Sequence, residues 1–161
     1  MKNTKERESY SIDKTIKMYK YLFRFLPVVL ALAFVSCNNN KLTEKVVTKF
    51  DNGQPSKVHY CDKDNVVVRE AYFYEDGTLM MEGEMKDGAR EGEWISYFPD
   101  GKVQSIGFYK DGVRTGKSKV YHENGNLWMD GYYKDNHQCG EWIYYDEQGY
   151  EIARPYYGDC D

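Results

Sequence analysis

Glycines return every 24 residues without an insertion. Gly77, Gly101, Gly125 and Gly149 form one column, Gly83, Gly107 and Gly131 a second, and Gly92, Gly116 and Gly140 a third. Gly53 extends the first column one period upstream, and Lys86, Lys110 and Lys134 keep the same step, as do Asp87, Asp111 and Asp135. A fixed period of this length marks an array of equivalent supersecondary units, each packing only on its neighbours. The final unit is partial: Tyr156 and Tyr157 fall one period after Tyr132 and Tyr133, and Asp159 one period after Asp135. Before Ala71 the repeat is worn, with Asn52-Gly53 in phase and most other columns lost.

Each period carries two turn signals. One is Asp76-Gly77, Asp100-Gly101 and Asn124-Gly125; the other is Asp87-Gly88, Asp111-Gly112 and Asp135-Asn136. Asp-Gly and Asn-Gly supply the positive φ of tight hairpins, and Asn136 is among the few other residues that tolerate it. Between the turns lie runs of about six residues such as "EWISYF", "IGFYK" and "EWIYY", rich in aromatic and β-branched types that favour strands. Two strands per repeat follow. Alternation places Phe73, Tyr97, Tyr121 and Tyr145 in one aromatic column and Trp94, Ser118 and Trp142 on the opposite face. Leu79, Val103 and Leu127 form an aliphatic column, and Met85, Tyr109, Tyr133 and Tyr157 another, so most of the 16% aromatic content is periodic scaffold. The mid-strand glycines 83, 107 and 131 mark either bulges or close approach by a neighbouring side chain. The expected fold is all-β: a repeat array of β-hairpins forming one elongated, twisted antiparallel meander sheet, with little helix after residue 45.

The strings "GEMKDGAREGEW", "GFYKDGVRTGK" and "GYYKDNHQCGEW" resemble MORN repeats, in particular the bacterial repeat variants of proteins labelled YwqK-like antitoxins. The likeness covers approximately residues 69 to 159 and departs from the pattern at Ser118 (for Trp) and Asn136 (for Gly). It implies the same hairpin array and a non-catalytic contact surface, and it brings no catalytic residues with it.

The N-terminus reads as targeting rather than fold. Phe25 to Val35, "FLPVVLALAFV", is too short for the roughly twenty apolar residues of a membrane span and suits a signal-peptide core. Lys20 and Arg24 precede it, and Ser36-Cys37 and a polar "NNNKLTEK" follow, the layout of a bacterial lipoprotein signal in which Cys37 is lipidated. Ala31-Leu32-Ala33 offers an ordinary cleavage site instead, which would release a secreted chain. Met18 offers an alternative start that gives a signal of normal proportions. The expected organisation is a signal peptide at 1–36, a lipidated Cys37 with a flexible tether at 37–45, and a repeat domain at 46–161. The expected place is the cell envelope, on the outer-membrane or periplasmic side.

Residues 37–161 hold 15 Lys and Arg against 23 Asp and Glu, a net charge of −8. That balance argues against nucleic acid and against electrostatic binding to anionic headgroups, leaving the lipid as the membrane contact. With Cys37 acylated, three cysteines remain; Cys61 and Cys139 lie too many repeats apart to meet. Cys139 and Cys160 fall close in neighbouring repeats, either as a disulfide or as small, partly buried thiols. His59, His122 and His137 occupy different repeat phases and show no ligand spacing, and the Asp-rich turns lack calcium-loop patterns. No metal, cofactor or catalytic constellation is expected. The expected function is a lipid-anchored binding or scaffold module whose surface, Trp94, Trp128, Trp142, Tyr97, Tyr121 and Tyr145, meets a protein or glycan partner. The alternative is an antitoxin-like neutraliser, cytosolic or co-exported. Free end strands also allow an edge-to-edge homodimer, opposed by the charges of Lys45, Lys49, Asp159 and Asp161.

Overall fold

The computed structural model describes residues 41–161; residues 1–36, read above as a signal peptide, and Cys37 lie outside them. Ten strands run in chain order: β1 (Thr43–Lys49), β2 (Pro55–Cys61), β3 (Val67–Phe73), β4 (Leu79–Lys86), β5 (Ala89–Tyr97), β6 (Val103–Lys110), β7 (Val113–Tyr121), β8 (Leu127–Lys134), β9 (His137–Tyr145) and β10 (Glu151–Ala153). Each pairs with the next in one antiparallel sheet whose spatial order is the sequence order. The full repeats have strands of eight or nine residues rather than six. Thr43, Glu44 and Lys45, expected in a flexible tether, belong instead to β1, because they pair with Cys61, Tyr60 and His59.

Two kinds of turn alternate along the meander. The hairpins β4–β5, β6–β7 and β8–β9 close through two residues that are both left-handed: φ is 52° and 81° at Asp87-Gly88, 50° and 83° at Asp111-Gly112, and 50° and 68° at Asp135-Asn136. This doubly positive pattern is that of a type I′ turn, whose twist matches the strands it joins. The other connections are three-residue turns that need positive φ only at their last residue, which is glycine except in β2–β3, where Asn65 takes the position with φ 65°. At Glu75-Asp76-Gly77 the Gly77 N–H donates to Tyr74 O at 2.9 Å, and Asp76 Oδ1 accepts from the Thr78 N–H at 2.8 Å. The third glycine column, Gly92, Gly116 and Gly140, lies where the register of each tight hairpin slips, so the bulges are there.

The second glycine column therefore has the other role, close approach. One transverse row runs across the sheet through His59, Glu70, Gly83, Trp94, Gly107, Ser118, Gly131 and Trp142. Trp94 lies over Gly83 and Trp142 over Gly131, so close that a Cβ on either glycine would fall 2.3 and 2.2 Å from the indole. Each indole Nε1 donates to a main-chain carbonyl of the strand beneath it, Glu84 O at 3.0 Å and Tyr132 O at 3.2 Å. Tyr109 meets Trp94 edge-on, and Tyr133 and Tyr157 do the same to Trp142. This is the main core of the array.

Between the two tryptophans the row has Ser118, and the space over Gly107 is filled from another direction. The Arg114 guanidinium lies 3.4 Å from where a Gly107 Cβ would be, donates from Nη2 to Ser118 Oγ at 2.9 Å, and stacks 4.1 Å from the Tyr133 ring. Its Nε is buried without a partner. At the N-terminal end the tryptophan and glycine positions are held by Glu70 and His59. Glu70 is buried and accepts from Lys57 Nζ at 2.7 Å, Tyr72 OH at 2.7 Å and His59 Nε2 at 2.9 Å. The worn repeat thus keeps the geometry and exchanges apolar stacking for a satisfied ionic cluster.

The two edges differ. All of β1 is exposed, while β9 is covered by the C-terminal segment: Trp142 N–H donates to Pro155 O at 2.9 Å, and Gly140 and Tyr157 bond through the main chain. A disulfide joins Cys139 to Cys160 with a Cα separation of 5.2 Å, and Cys61 is a buried free thiol.

Candidate docking surface

Register and alternation sort the six aromatic residues expected to form one surface into two sets. Trp94 and Trp142 are 3% and 1% exposed and belong to the packed row, so they present nothing to a partner. Their burial follows from the glycine opposite each of them, which lets the indole lie flat on the backbone of the adjacent strand instead of standing away from the sheet. The glycine column was the sequence signal for this, and exposure was the wrong expectation for both residues.

The other four lie together on the opposite face. Tyr97, Tyr121 and Tyr145, one period apart, alternate with Gln104, Trp128 and Ile152 on the intervening strands, giving a row about 25 Å long at the usual strand spacing. The tyrosines are half-buried, whereas Trp128 is 41% and Ile152 63% exposed. Tyr132 and Tyr156, two rows further on, are also exposed. Burial first, and then the Glu82 carboxylate 3.4 Å from its hydroxyl, raise the Tyr97 phenol above its ordinary value. The face also carries ion pairs, Lys117 with Asp130 at 3.5 Å and Arg154 with Glu141 at 3.2 Å.

Along this row and its upstream continuation, on the side where the three-residue turns project, two hollows sit 48 residues apart in the sequence. The larger, about 480 Å³, is lined by residues including Phe98, Gln104, Tyr121, His122, Glu123 and Trp128. The other, about 410 Å³, is lined by their counterparts two repeats earlier, Phe50, Ser56, Phe73, Tyr74, Glu75 and Met80. They are one feature of the repeat, built twice. The walls are held in register by bonds between successive turns: Asn124 and Asn126 Nδ2 both donate to Glu147 O at 2.7 Å, and Asn52 Nδ2 donates to Glu75 O at 2.9 Å. The position of Tyr74, whose hydroxyl donates to Tyr97 O at 2.8 Å, is taken in the later hollow by His122, whose Nε2 is 3.0 Å from Tyr145 O. That contact requires the proton on Nε2. His122 also lies against Trp128, with ring centroids 5.9 Å apart. The exposed Trp128 and the two hollows were not separable from scaffold aromatics by alternation alone.

Among the described residues no group of three or more His, Cys, Asp or Glu side chains is placed to hold a metal ion. The histidines remain apart: His59 belongs to the Glu70 cluster, His122 to the hollow, and His137 to the β8–β9 turn, where its Nδ1 is 2.8 Å from Asp135 O. The arrangement offers contact area and hydrogen-bond groups around a ring.

No curated protein matches the chain. Residues 90–111 and 114–135, the stretch from β5 into β8, match the family model described as MORN repeat variant. Those two stretches are similar to MORN-variant repeats, and they keep the 24-residue step and the strand pairing that run through the ten-stranded meander.

Proposed function

We propose that the array is a non-catalytic docking module for a partner protein, held at the cell envelope by a lipid on Cys37. The observation that carries the docking surface is the contrast among the three tryptophans. Two are sealed into the row that holds the sheet together, while Trp128 stands exposed beside a hollow, in line with Tyr97, Tyr121 and Tyr145. Large, rigid side chains of this kind bring contact area at small entropic cost, and aromatic anchors next to pockets dominate binding energy. The membrane reading rests on the apolar run from Phe25 to Val35 followed by Ser36-Cys37. A diacylated or triacylated cysteine would hold firmly, since each buried methylene contributes about 0.8 kcal/mol.

Two experiments test the two halves separately. Membrane fractionation with intact mass is expected to find the native chain starting at an acylated Cys37 and the Cys37→Ala chain released; a soluble, uncleaved native chain overturns the anchor. Photo-crosslinking from position 121 is expected to yield a defined protein adduct that disappears with Trp128→Ala. Binding of a glycan through the same residues would overturn the partner class, and an adduct indifferent to Trp128 would overturn the surface.

A further inference from the structure

The two equivalent hollows differ in charge. The earlier one has Lys57 and a single carboxylate, Glu75, among its lining residues and Met80 at the exposed aromatic position. The later one has Trp128 there, two carboxylates, Glu123 and Glu147, and no Lys or Arg. Glu123 also borders a smaller hollow of about 260 Å³ shared with Phe98, Pro99 and Asp100. The nearby base Lys102 is already engaged, its Nζ 2.6 Å from Asp100 Oδ2 and 3.1 Å from Glu123 O. Of the other polar walls, His122 is engaged with Tyr145 O and Asn124 with Glu147 O, and Gln104 is an uncharged amide. What is left open is an aromatic surface with negative charge beside it.

From this we infer that the Trp128 hollow receives the guanidinium or ammonium group of an Arg or Lys side chain on a basic segment of the partner protein, a step that rests on the docking surface proposed above. A cation over an indole is attracted by the ring's quadrupole, and carboxylates beside it add charge-assisted hydrogen bonds to the same group. The array already uses this stacking internally: the Arg90 guanidinium lies 4.1 Å from the Trp94 ring and Arg114 4.1 Å from Tyr133. In the hollow the ring and the carboxylates are present and the cation is not supplied by the described residues. An anionic ligand would be repelled there. A neutral sugar could stack on Trp128 and would make no use of the charge. The excess of acidic over basic residues in 37–161 steers a basic partner toward the array in general, and the hollow gives it a specific place.

The test is a binding titration on the full-length protein in detergent, using a fluorescent twelve-residue peptide of alternating Arg and Gly, with a Glu-Gly peptide as its opposite. The Arg peptide is expected to bind, more weakly as salt rises, and the Glu peptide not to bind. Glu123→Gln with Glu147→Gln is expected to weaken binding at least tenfold, and Trp128→Ala by a similar factor. Glu44→Gln with Glu93→Gln, which removes the same charge from exposed sites elsewhere, should change it less than twofold; urea midpoints of all variants check that the fold is intact. Equal losses in the two glutamine pairs would reduce the effect to net charge and overturn the inference. If Trp128→Ala abolishes partner crosslinking while the Glu123 and Glu147 changes leave it intact, the cation is refuted and the docking surface stands. If none of these residues matters, both readings fall.

Discussion

Adding one methyl group to three equivalent glycines should have two opposite results. In Gly131→Ala the new Cβ would lie 2.2 Å from Trp142 Cδ2 and 2.4 Å from Cε2, well inside any tolerable contact. The ring cannot swing away cheaply, because Trp142 is 1% exposed, its Nε1 is bonded to Tyr132 O, and Tyr133 and Tyr157 close on it edge-on. Overpacking of this kind costs about 1–3 kcal/mol, and complete expulsion of an indole about 3–5 kcal/mol, so a loss of about 2–4 kcal/mol is expected. Gly83→Ala faces the same obstacle from Trp94. In Gly107→Ala the nearest atoms are the Arg114 guanidinium nitrogens at 3.4 and 3.5 Å, the far end of a flexible side chain, so the methyl group fits at ordinary contact distance. Removing an interior strand glycine gains about 0.5–1 kcal/mol of backbone entropy, and that variant should be neutral or slightly stabilised. Urea unfolding followed by far-UV circular dichroism and by tryptophan emission reads both, with the slope checked for loss of two-state behaviour in a repeat array. Equal costs at Gly107 and Gly131 would refute the claim that the indole, and not the strand backbone, makes the glycine necessary.

Three further perturbations probe the rest of the row and its ends. Ser118→Trp should stabilise the array by about 1–3 kcal/mol, because an indole over Gly107 buries apolar area that the Arg114 guanidinium, with its unpartnered Nε, does not; a lower urea midpoint would show that Arg114 cannot restack as Arg90 does over Trp94. At Glu70 burial favours the neutral acid, but the hydrogen bonds from Lys57, Tyr72 and His59 prevail and hold the carboxyl below its ordinary value of 4.5. Its contribution is therefore present above about pH 4.5 and lost as pH falls through the lowered value, and Glu70→Gln should flatten that acid limb while costing about 2 kcal/mol at pH 7 by stranding Lys57; an unchanged acid limb counts against the cluster. Cys160→Ser should cost about 3 kcal/mol, the loop-entropy value for partners 21 residues apart, and should speed amide exchange at Tyr157; unaltered exchange there would show that the C-terminal segment holds without the bridge.

The period, the turns and the alternation were legible because each has a local cause. Asp111-Gly112 has its left-handed pair for reasons contained in those two residues, and Tyr97, Tyr121 and Tyr145 share a face because a strand alternates. Which face closes was not legible by alternation, since a single-layer sheet has no second layer to mark its inside. Trp94 and Trp128 are both strand tryptophans; what separates them is the residue across the ladder, Gly83 under Trp94 against Tyr121 and its neighbours beside Trp128. The polar replacements were hidden for a related reason. Glu70 and His59 look like decay of the repeat when each column is read singly, and like a matched exchange once the two columns are known to touch. The hollow beside Trp128 depends on bonds between turns of successive repeats, such as Asn126 to Glu147, which no single unit contains.

The direction in which the indoles lean has a bearing on how such a chain can grow or shrink in evolution. Trp94 covers Gly83 and Trp142 covers Gly131, so in both the ring and its glycine belong to one type I′ hairpin and are separated by a single tight turn. The stretches that match the repeat model, 90–111 and 114–135, begin just after those turns and so pair the second strand of one hairpin with the first strand of the next. A duplication or deletion with ends at the tight turns would divide a tryptophan from its glycine and require the neighbouring copy to restore the fit. One with ends in the three-residue turns, near Gly77, Gly101 or Gly125, would transfer the ring and its seat together. Gene segments cut at those turns are the ones expected to be gained and lost without a penalty at the seam, and artificial arrays of a chosen length should be joined there.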